Sequence, residues 1–139
     1  MEQFKNTIAQ LEVGSFTKKN ILTASEDNSL KHVHDRMQHL SLSHIPVCCK
    51  EGNPVGIIAE RDIRAFYLSA DFGRLLAKQI MQTKFLIFPA TASLFSVARA
   101  LLESHSSAAI IVSDIHPSLE IFTVADGLKA LDQIFQVIS

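Results

Sequence analysis

Apolar residues along the chain switch between two spacings in a fixed order, and that order occurs twice. Ile21-Leu22-Thr23 reads as a short strand. After the cap-rich run Ser25 to Ser29, the residues Leu30, Val33, Met37 and Leu40 fall at helical spacing, so one helix face is apolar. Ile45 to Cys49 and Val55 to Ile58 are strand-like runs on either side of Lys50-Glu51-Gly52-Asn53-Pro54, which is turn chemistry. Ile63, Phe66 and Tyr67 open another amphipathic helix. The predicted unit is strand, helix, strand, strand, helix.

The second pass repeats it. Phe85 to Phe88 is the strand and Pro89 begins the helix approach. Leu94, Val97, Ala98, Leu101 and Leu102 form the helix stripe. Ala109 to Val112 and Leu119 to Phe122 are strands about a turn at Asp114 to Ser118. Leu128, Leu131, Ile134, Phe135 and Ile138 are the expected buried face of the last helix. Thr91 stands where Asp27 stood, and both are good N-cap residues.

The two passes align at a constant offset of 64 residues without a gap. Leu22 meets Leu86, Ser29 meets Ser93, Leu30 meets Leu94, Val33 meets Val97 and Ser43 meets Ser107. Gly56-Ile57-Ile58-Ala59-Glu60-Arg61-Asp62 meets Glu120-Ile121-Phe122-Thr123-Val124-Ala125-Asp126. Each copy is a strand that turns and sets an Asp at a helix start, where free N–H groups suit phosphate. Residues 1–16 are a lead-in helix or segment (Phe4, Ile8, Leu11), 17–76 the first repeat and 77–139 the second, with 71–82 as the connection. Half-units of about 60 residues are marginal alone, so the two are expected to share one core.

Composition narrows the function. With 139 residues, 47% of them hydrophobic, the chain can bury a real core. A formal net charge of −1 gives no basic face for nucleic acid or an anionic membrane. The apolar runs are shorter than the about 20 residues a membrane span needs. Met1 to Asn6 lacks the layout of a secretion signal, and the adjacent Cys48 and Cys49 fit a reducing compartment, so a cytoplasmic protein is expected. Consecutive strand residues face opposite ways, which places one thiol in the core and the other outward or at an edge.

Catalytic patterns are missing from the sequence. It has no Gly-x-Ser-x-Gly elbow, no Walker-type loop and no His-Glu-x-x-His. His32, His34 and His39 share one helix without an i, i+4 pair and read as exposed histidines rather than a metal site. Neither an enzyme nor a metal protein is expected. Thr123-x-x-Asp126 has two readings: a helix N-terminal box, or a ligand-binding pair. Ala59 lacks the hydroxyl, yet Asp62 is kept. Glu120, at the position of Gly56, either points inward and repels phosphate or lies outward as a surface charge. Arg61 and Arg64 read as solvated.

The order of elements, with an apolar-apolar-Thr-x-x-Asp ending to the hairpin, resembles a tandem pair of CBS domains over residues 13 to 137. His44-Ile45-Pro46-Val47 is similar to the family's Ile-Pro-Val strand, and Gln79-Ile80-Met81 to its Ile-Met element. Thr123-Val124-Ala125-Asp126 keeps the Thr-x-x-Asp, while Ala59-Glu60-Arg61-Asp62 keeps only the Asp. The resemblance implies an α/β (α+β) fold of two βαββα repeats about a pseudo-twofold axis. It implies clefts between the repeats for an adenosine-containing ligand: AMP, ADP, ATP, NAD or S-adenosylmethionine. No cofactor is required. Thr123 and Asp126, with Ile87, Ala109 and Ile110 near the base, would form the more complete nucleotide-binding site. Asp62, with Thr23, Ile45 and Pro46, would form the weaker one. The expected partners are a second copy of the chain in a homodimer and an effector protein of unknown identity. The alternative is a degenerate pair that only dimerises or adapts and binds no nucleotide.

Overall fold

Two serines one repeat apart start the longer helices that cover the two sheets. In the computed structural model, which describes residues 2–19, 21–113 and 119–138, the Ser29 hydroxyl accepts from the His32 N–H at 3.1 Å and the Ser93 hydroxyl from the Ser96 N–H at 3.4 Å. These serines, not Asp27 and Thr91, are the N-caps of α2 (Leu30–His39) and α5 (Leu94–Ser104). The cause is a turn just upstream in each copy. The Ser25 N–H donates to Asn28 Oδ1 and the Asn28 N–H returns to the Ser25 carbonyl. The Ala92 N–H donates likewise to the Pro89 carbonyl, so each helix starts only after its turn has closed.

The chain runs α1 (Glu2–Ala9), a 3-10 turn (Val13–Ser15), β1 (Ala24–Ser25), α2, β2 (His44–Cys48), β3 (Pro54–Ala59), α3 (Glu60–Arg64), α4 (Ala77–Ile80), β4 (Leu86–Pro89), α5, β5 (Ala108–Val112), β6 (Leu119–Thr123) and α6 (Val124–Ile138). The fold class is α/β, two βαββα repeats. Each forms one three-stranded sheet, ordered β1-β2-β3 and β4-β5-β6. In each sheet the first pair is parallel and the second antiparallel.

The chain divides into two compact units that do not follow the repeat boundaries. One is Leu22–Phe85. The other combines Met1–Ile21 with Leu86–Ser139. In the continuous unit Leu30, Val33 and Met37 of α2 are buried, as are Ile45, Val47, Ile58 and Ile63. In the discontinuous unit Leu94, Val97 and Leu101 pack with Ala109, Ile111, Phe122, Ala130 and Val13, joined by the half-buried Leu11 and Phe16.

Several sequence expectations are corrected. The first strand lies at Ala24–Ser25 rather than 21–23, because pairing to β2 occurs through Ala24↔Val47 and Ser25↔Cys48. The helix after β3 is a single turn. Beyond Arg64, bonds from Phe66 to Ile63, Tyr67 to Arg64 and Ser69 to Phe66 tighten the chain into i→i+3 turns. On α6 the buried residue is Ala130; Ile134 is half-buried, whereas Leu128, Leu131 and Phe135 are 64%, 58% and 66% exposed. The expected turn at Asp114–Ser118, and the side chains of Phe4 and Ile138, lie outside the described residues.

The lead-in segments close the free edges of the sheets. Lys18 and Ile121 of β6 exchange backbone hydrogen bonds of 2.8 and 3.4 Å, and Gln82 and Ile57 of β3 exchange 2.9 and 3.1 Å. Lys18 and Gln82 are 64 residues apart, as are Ile121 and Ile57. The repeat therefore extends into the lead-ins. The stretch before β1 caps the sheet of the second repeat, and the stretch before β4 caps that of the first. An open strand edge is a template for unwanted pairing, and both β3 and β6 are relieved of it over this stretch.

Candidate functional site

The two strand-to-helix junctions carry the residues singled out by the sequence. At the second, Thr123 ends β6 and is the residue before α6. Asp126 reaches back, accepting from the Thr123 N–H at 2.9 Å and from its hydroxyl at 3.0 Å, both on Oδ2. Thr123 Oγ1 in turn accepts from the Asp126 N–H at 3.2 Å. This is a reciprocal capping box on a fifteen-residue helix. The Val124 N–H is taken by the Ser107 carbonyl at 3.0 Å. Among the described residues no hydrogen bond reaches Asp126 Oδ1. The box and the ligand-binding pair are thus compatible readings, one oxygen serving the helix and the other without a hydrogen bond from the described residues.

The first junction keeps half of this arrangement. Asp62 Oδ2 accepts from the Ala59 N–H at 3.1 Å, but Ala59 has no hydroxyl to return. The same oxygen accepts from Gln82 Nε2 at 3.0 Å, a partner the lead-in supplies. The Glu60 N–H donates to the Ser43 carbonyl at 2.9 Å, matching Val124 and Ser107. Arg64 pairs with Glu60 at 3.1 Å on the surface, and Arg61 is exposed.

Register decides which other candidates share a face. Ala108 lies opposite Thr123, and Ile110 opposite Ile121 and beside Ile87, so Ile87, Ile110 and Thr123 share one side of the sheet. Ala109 lies opposite Phe122 and joins the helix-covered core, so only its backbone is available to a ligand. Ile110 is fully buried, while Ile87 is 45% exposed. In the first repeat Pro46 and Ala59 share the corresponding side, and Ile45 turns to the opposite face with Ile58. The half-buried Thr23 hydroxyl is bonded to the Cys48 thiol. Burial pushes the thiol's pKa up, the Thr23 bond pulls it down, and Cys49 adds a smaller upward push.

Glu120 fits neither expectation. It is 5% exposed, and its carboxylate accepts from Thr17 Oγ1 at 2.6 Å and pairs with Lys19 Nζ at 3.3 Å. Lys19 also donates to Thr17 Oγ1 at 3.1 Å and to the Gly14 carbonyl at 2.5 Å. The charge is therefore committed to holding the lead-in against β6. At the matching place in the other unit, a Cβ on Gly56 would lie 2.6 Å from Met81 Sδ, and Met81 is the counterpart of Thr17. A carboxylate–hydroxyl contact in one copy is a glycine–methionine contact in the other.

His34 is also corrected. It is half-buried, its Nε2 lies 2.7 Å from Tyr67 Oη, and its ring meets Tyr67 and Phe72 edge-on; His32 and His39 are exposed. Both cysteines are free thiols, Cys48 buried and Cys49 half-buried. Among the described residues no group of three or more His, Cys, Asp or Glu could hold a metal ion, and no helix is long and apolar enough to cross a membrane. The residues that sequence reasoning missed are Gln82, Thr17 and Lys19. The signal for them was the offset itself, carried a few residues upstream of Leu22.

The sheets, junctions and caps give the fold of a tandem pair of CBS-domain repeats. Residues 13–69 match the CBS domain family model directly. No curated protein matches the chain in sequence. Among solved structures, the chain is similar to the CBS domain of a bacterial CNNM/CorC family Mg2+ transporter in complex with ATP, with a TM-score of 0.77, 14% identity and 92% of each chain covered. The CBS domain of a membrane protein from Sphaerobacter thermophilus gives 0.77 at 21% identity, again over 92% of each. CBSX2 in complex with AMP gives 0.72 at 20% identity, over 88% of this chain and 97% of that one. At these identities the likeness is one of fold.

Proposed function

We propose that the chain is a regulatory module that binds an adenosine-containing ligand at the Thr123–Asp126 junction and passes its occupancy to a partner. The observation that carries this reading is Asp126. Its carboxylate is fixed through Oδ2 by Thr123, and the other oxygen is oriented without being occupied. A carboxylate so held can accept from a ribose hydroxyl without reorganising. Ile87, on the same side of the sheet as Thr123 and 45% exposed, gives an apolar surface for a base. The ATP and AMP bound by two similar structures support the ligand class. NAD and S-adenosylmethionine share the adenosyl group and belong to the same class. Self-association into a homodimer belongs to this reading and is supported by the exposed apolar residues Phe95, Leu102, Leu128 and Leu131 beside a cleft between α5 and α6. The effector is a separate protein, and the setting is cytoplasmic.

A second reading, a dimerisation or adaptor element without nucleotide, is favoured at the first repeat. There Ala59 offers no hydroxyl, and Gln82 Nε2 takes its place on Asp62 Oδ2, so the junction keeps the carboxylate but lacks the Thr that stands beside Asp126. A thermal-shift panel of AMP, ADP, ATP, NAD and S-adenosylmethionine separates the two. A ligand at 100 times its Kd stabilises the fold by about 2.7 kcal/mol, and Asp126→Ala abolishes that shift. If no member moves the melting point, or if the shift survives Asp126→Ala, the ligand reading fails.

A further inference from the structure

The cleft between α5 and α6 has a counterpart one repeat earlier, and the two differ in kind. Phe95, Leu102, Val124, Leu128 and Leu131 are 43%, 76%, 50%, 64% and 58% exposed at the cleft of the discontinuous unit. Among the described residues no charged side chain lines it. At the offset of 64 the continuous unit carries Lys31, Gln38, Glu60, Arg64 and Tyr67 in their places. Lys31 and Gln38 are exposed, and Arg64 is paired with Glu60 at 3.1 Å. Tyr67 folds back on α2: its hydroxyl lies 2.7 Å from His34 Nε2, and Phe72 meets the same ring edge-on. His34 is the counterpart of Ala98, which lines the open cleft. The first repeat thus covers with its own chain a place that the second leaves open.

We propose that a second copy of the chain covers this cleft, α5 and α6 of one second repeat meeting α5 and α6 of the other about a two-fold axis, and that the matching face of the first repeat takes no part. This rests on the homodimer reading and names the faces that meet. Five such side chains leave an apolar patch of several hundred Å², the upper range for a monomer, and supply the centre of the about 800 Å² that a standard interface takes from each partner. A two-fold contact requires one patch to fit itself. The centre of this one is uncharged. Each helix also carries one exposed charge of each sign, Arg99 and Glu103 on α5, Lys129 and Asp132 on α6, so a copy brings no net like charge against it. The first repeat's face is a poor partner for the cleft. Laid there, Lys31 would lose water with nothing of opposite charge to meet, and the Glu60–Arg64 pair would be desolvated.

Sedimentation equilibrium of the full chain at micromolar concentration tests this. The native chain should be a dimer. Leu102→Asp and Leu131→Glu should each raise the dimer dissociation constant about a hundredfold or more, since symmetry applies each change twice and each copy loses a buried leucine. Both leucines are exposed within the single chain, and an unchanged far-ultraviolet circular dichroism spectrum serves as the folding control. Lys31→Glu and Gln38→Glu, at the matching places of the first repeat, should leave the constant within about twofold, as surface changes outside a contact do. If these two weaken the dimer as much as the leucine variants, the one-sided pairing is overturned and the homodimer stands. If the leucine variants remain dimers, the pairing of second repeats is overturned. If the native chain is a monomer, the homodimer reading falls and this proposal with it, and the cleft belongs to a different partner. The ligand reading is decided separately, by the thermal-shift panel.

Discussion

Replacing Glu120 with alanine removes the one buried carboxylate among the described residues of the discontinuous unit. Its contact with Thr17 at 2.6 Å is a hydrogen bond to a charged acceptor in a mostly dry place, a class that contributes about 1.5–3 kcal/mol. The pair with Lys19 contributes less. Lys19 is 53% exposed, and screening holds such a contact to about 1 kcal/mol or below. Glu120→Ala should therefore cost about 2–4 kcal/mol in urea unfolding, and Glu120→Gln less, since an amide oxygen can still accept from Thr17. A double-mutant cycle with Thr17→Val isolates the contact, and a coupling of about 1–2 kcal/mol is expected. High salt should recover little of the loss, because the larger part is the hydrogen bond and not the ion pair. If Glu120→Ala costs under about 0.5 kcal/mol, or the cycle shows no coupling, then Glu120 does not hold the lead-in to β6.

Two more outcomes follow from the same comparison of copies. Gly56→Ala should destabilise by about 1–3 kcal/mol through overpacking against Met81, and Met81→Ala in the same chain should recover most of it; an additive double mutant would refute the steric account. Stability should also fall in alkali through Cys48. Its folded pKa is raised above the ordinary 9.0, so the unfolded chain loses its proton first. The stabilisation is complete below about pH 9 and is lost as pH climbs toward the folded value. Urea midpoints measured from pH 7.5 to 10 should show this decline, and Cys48→Ala should flatten it; an equal slope in the variant would assign it elsewhere.

Much of the architecture was legible because period and punctuation changed together, as at Leu30-Val33-Met37 after a cap-rich run and at Gly52-Asn53-Pro54 between two apolar runs. The errors lie where apolar spacing leaves the burying surface unnamed. Ile63, Phe66 and Tyr67 have helical spacing, yet only one turn forms, since three residues cannot tell a turn from a helix. The stripe on α6 was real, but Leu128, Leu131 and Phe135 lie on its exposed side, and periodicity says nothing of what covers a stripe. At the site, Thr123 and Asp126 were visible as a spacing. Gln82 was not, because it shares neither identity nor class with Lys18, its counterpart at the same offset, and only the fold brings it to Asp62.

The placement of the lead-ins also sets the order in which the chain can be completed during its synthesis. The bridge from Gln82 to Ile57 closes a loop of 25 residues, and both partners leave the ribosome early. The bridge from Lys18 to Ile121 spans 103 residues, so Lys18 waits for its partner until β6 has been made. In a flexible chain the longer closure costs about 1 kcal/mol more in entropy. The delay counts for more: until β6 emerges, Lys18 has no strand to bridge to and Thr17 has no Glu120 to bind, although Val13 can already bond to Ala92. The continuous unit is thus finished while the other still lacks β6, and any interruption of synthesis before residue 119 leaves Lys18 without its bridge partner and Thr17 without Glu120.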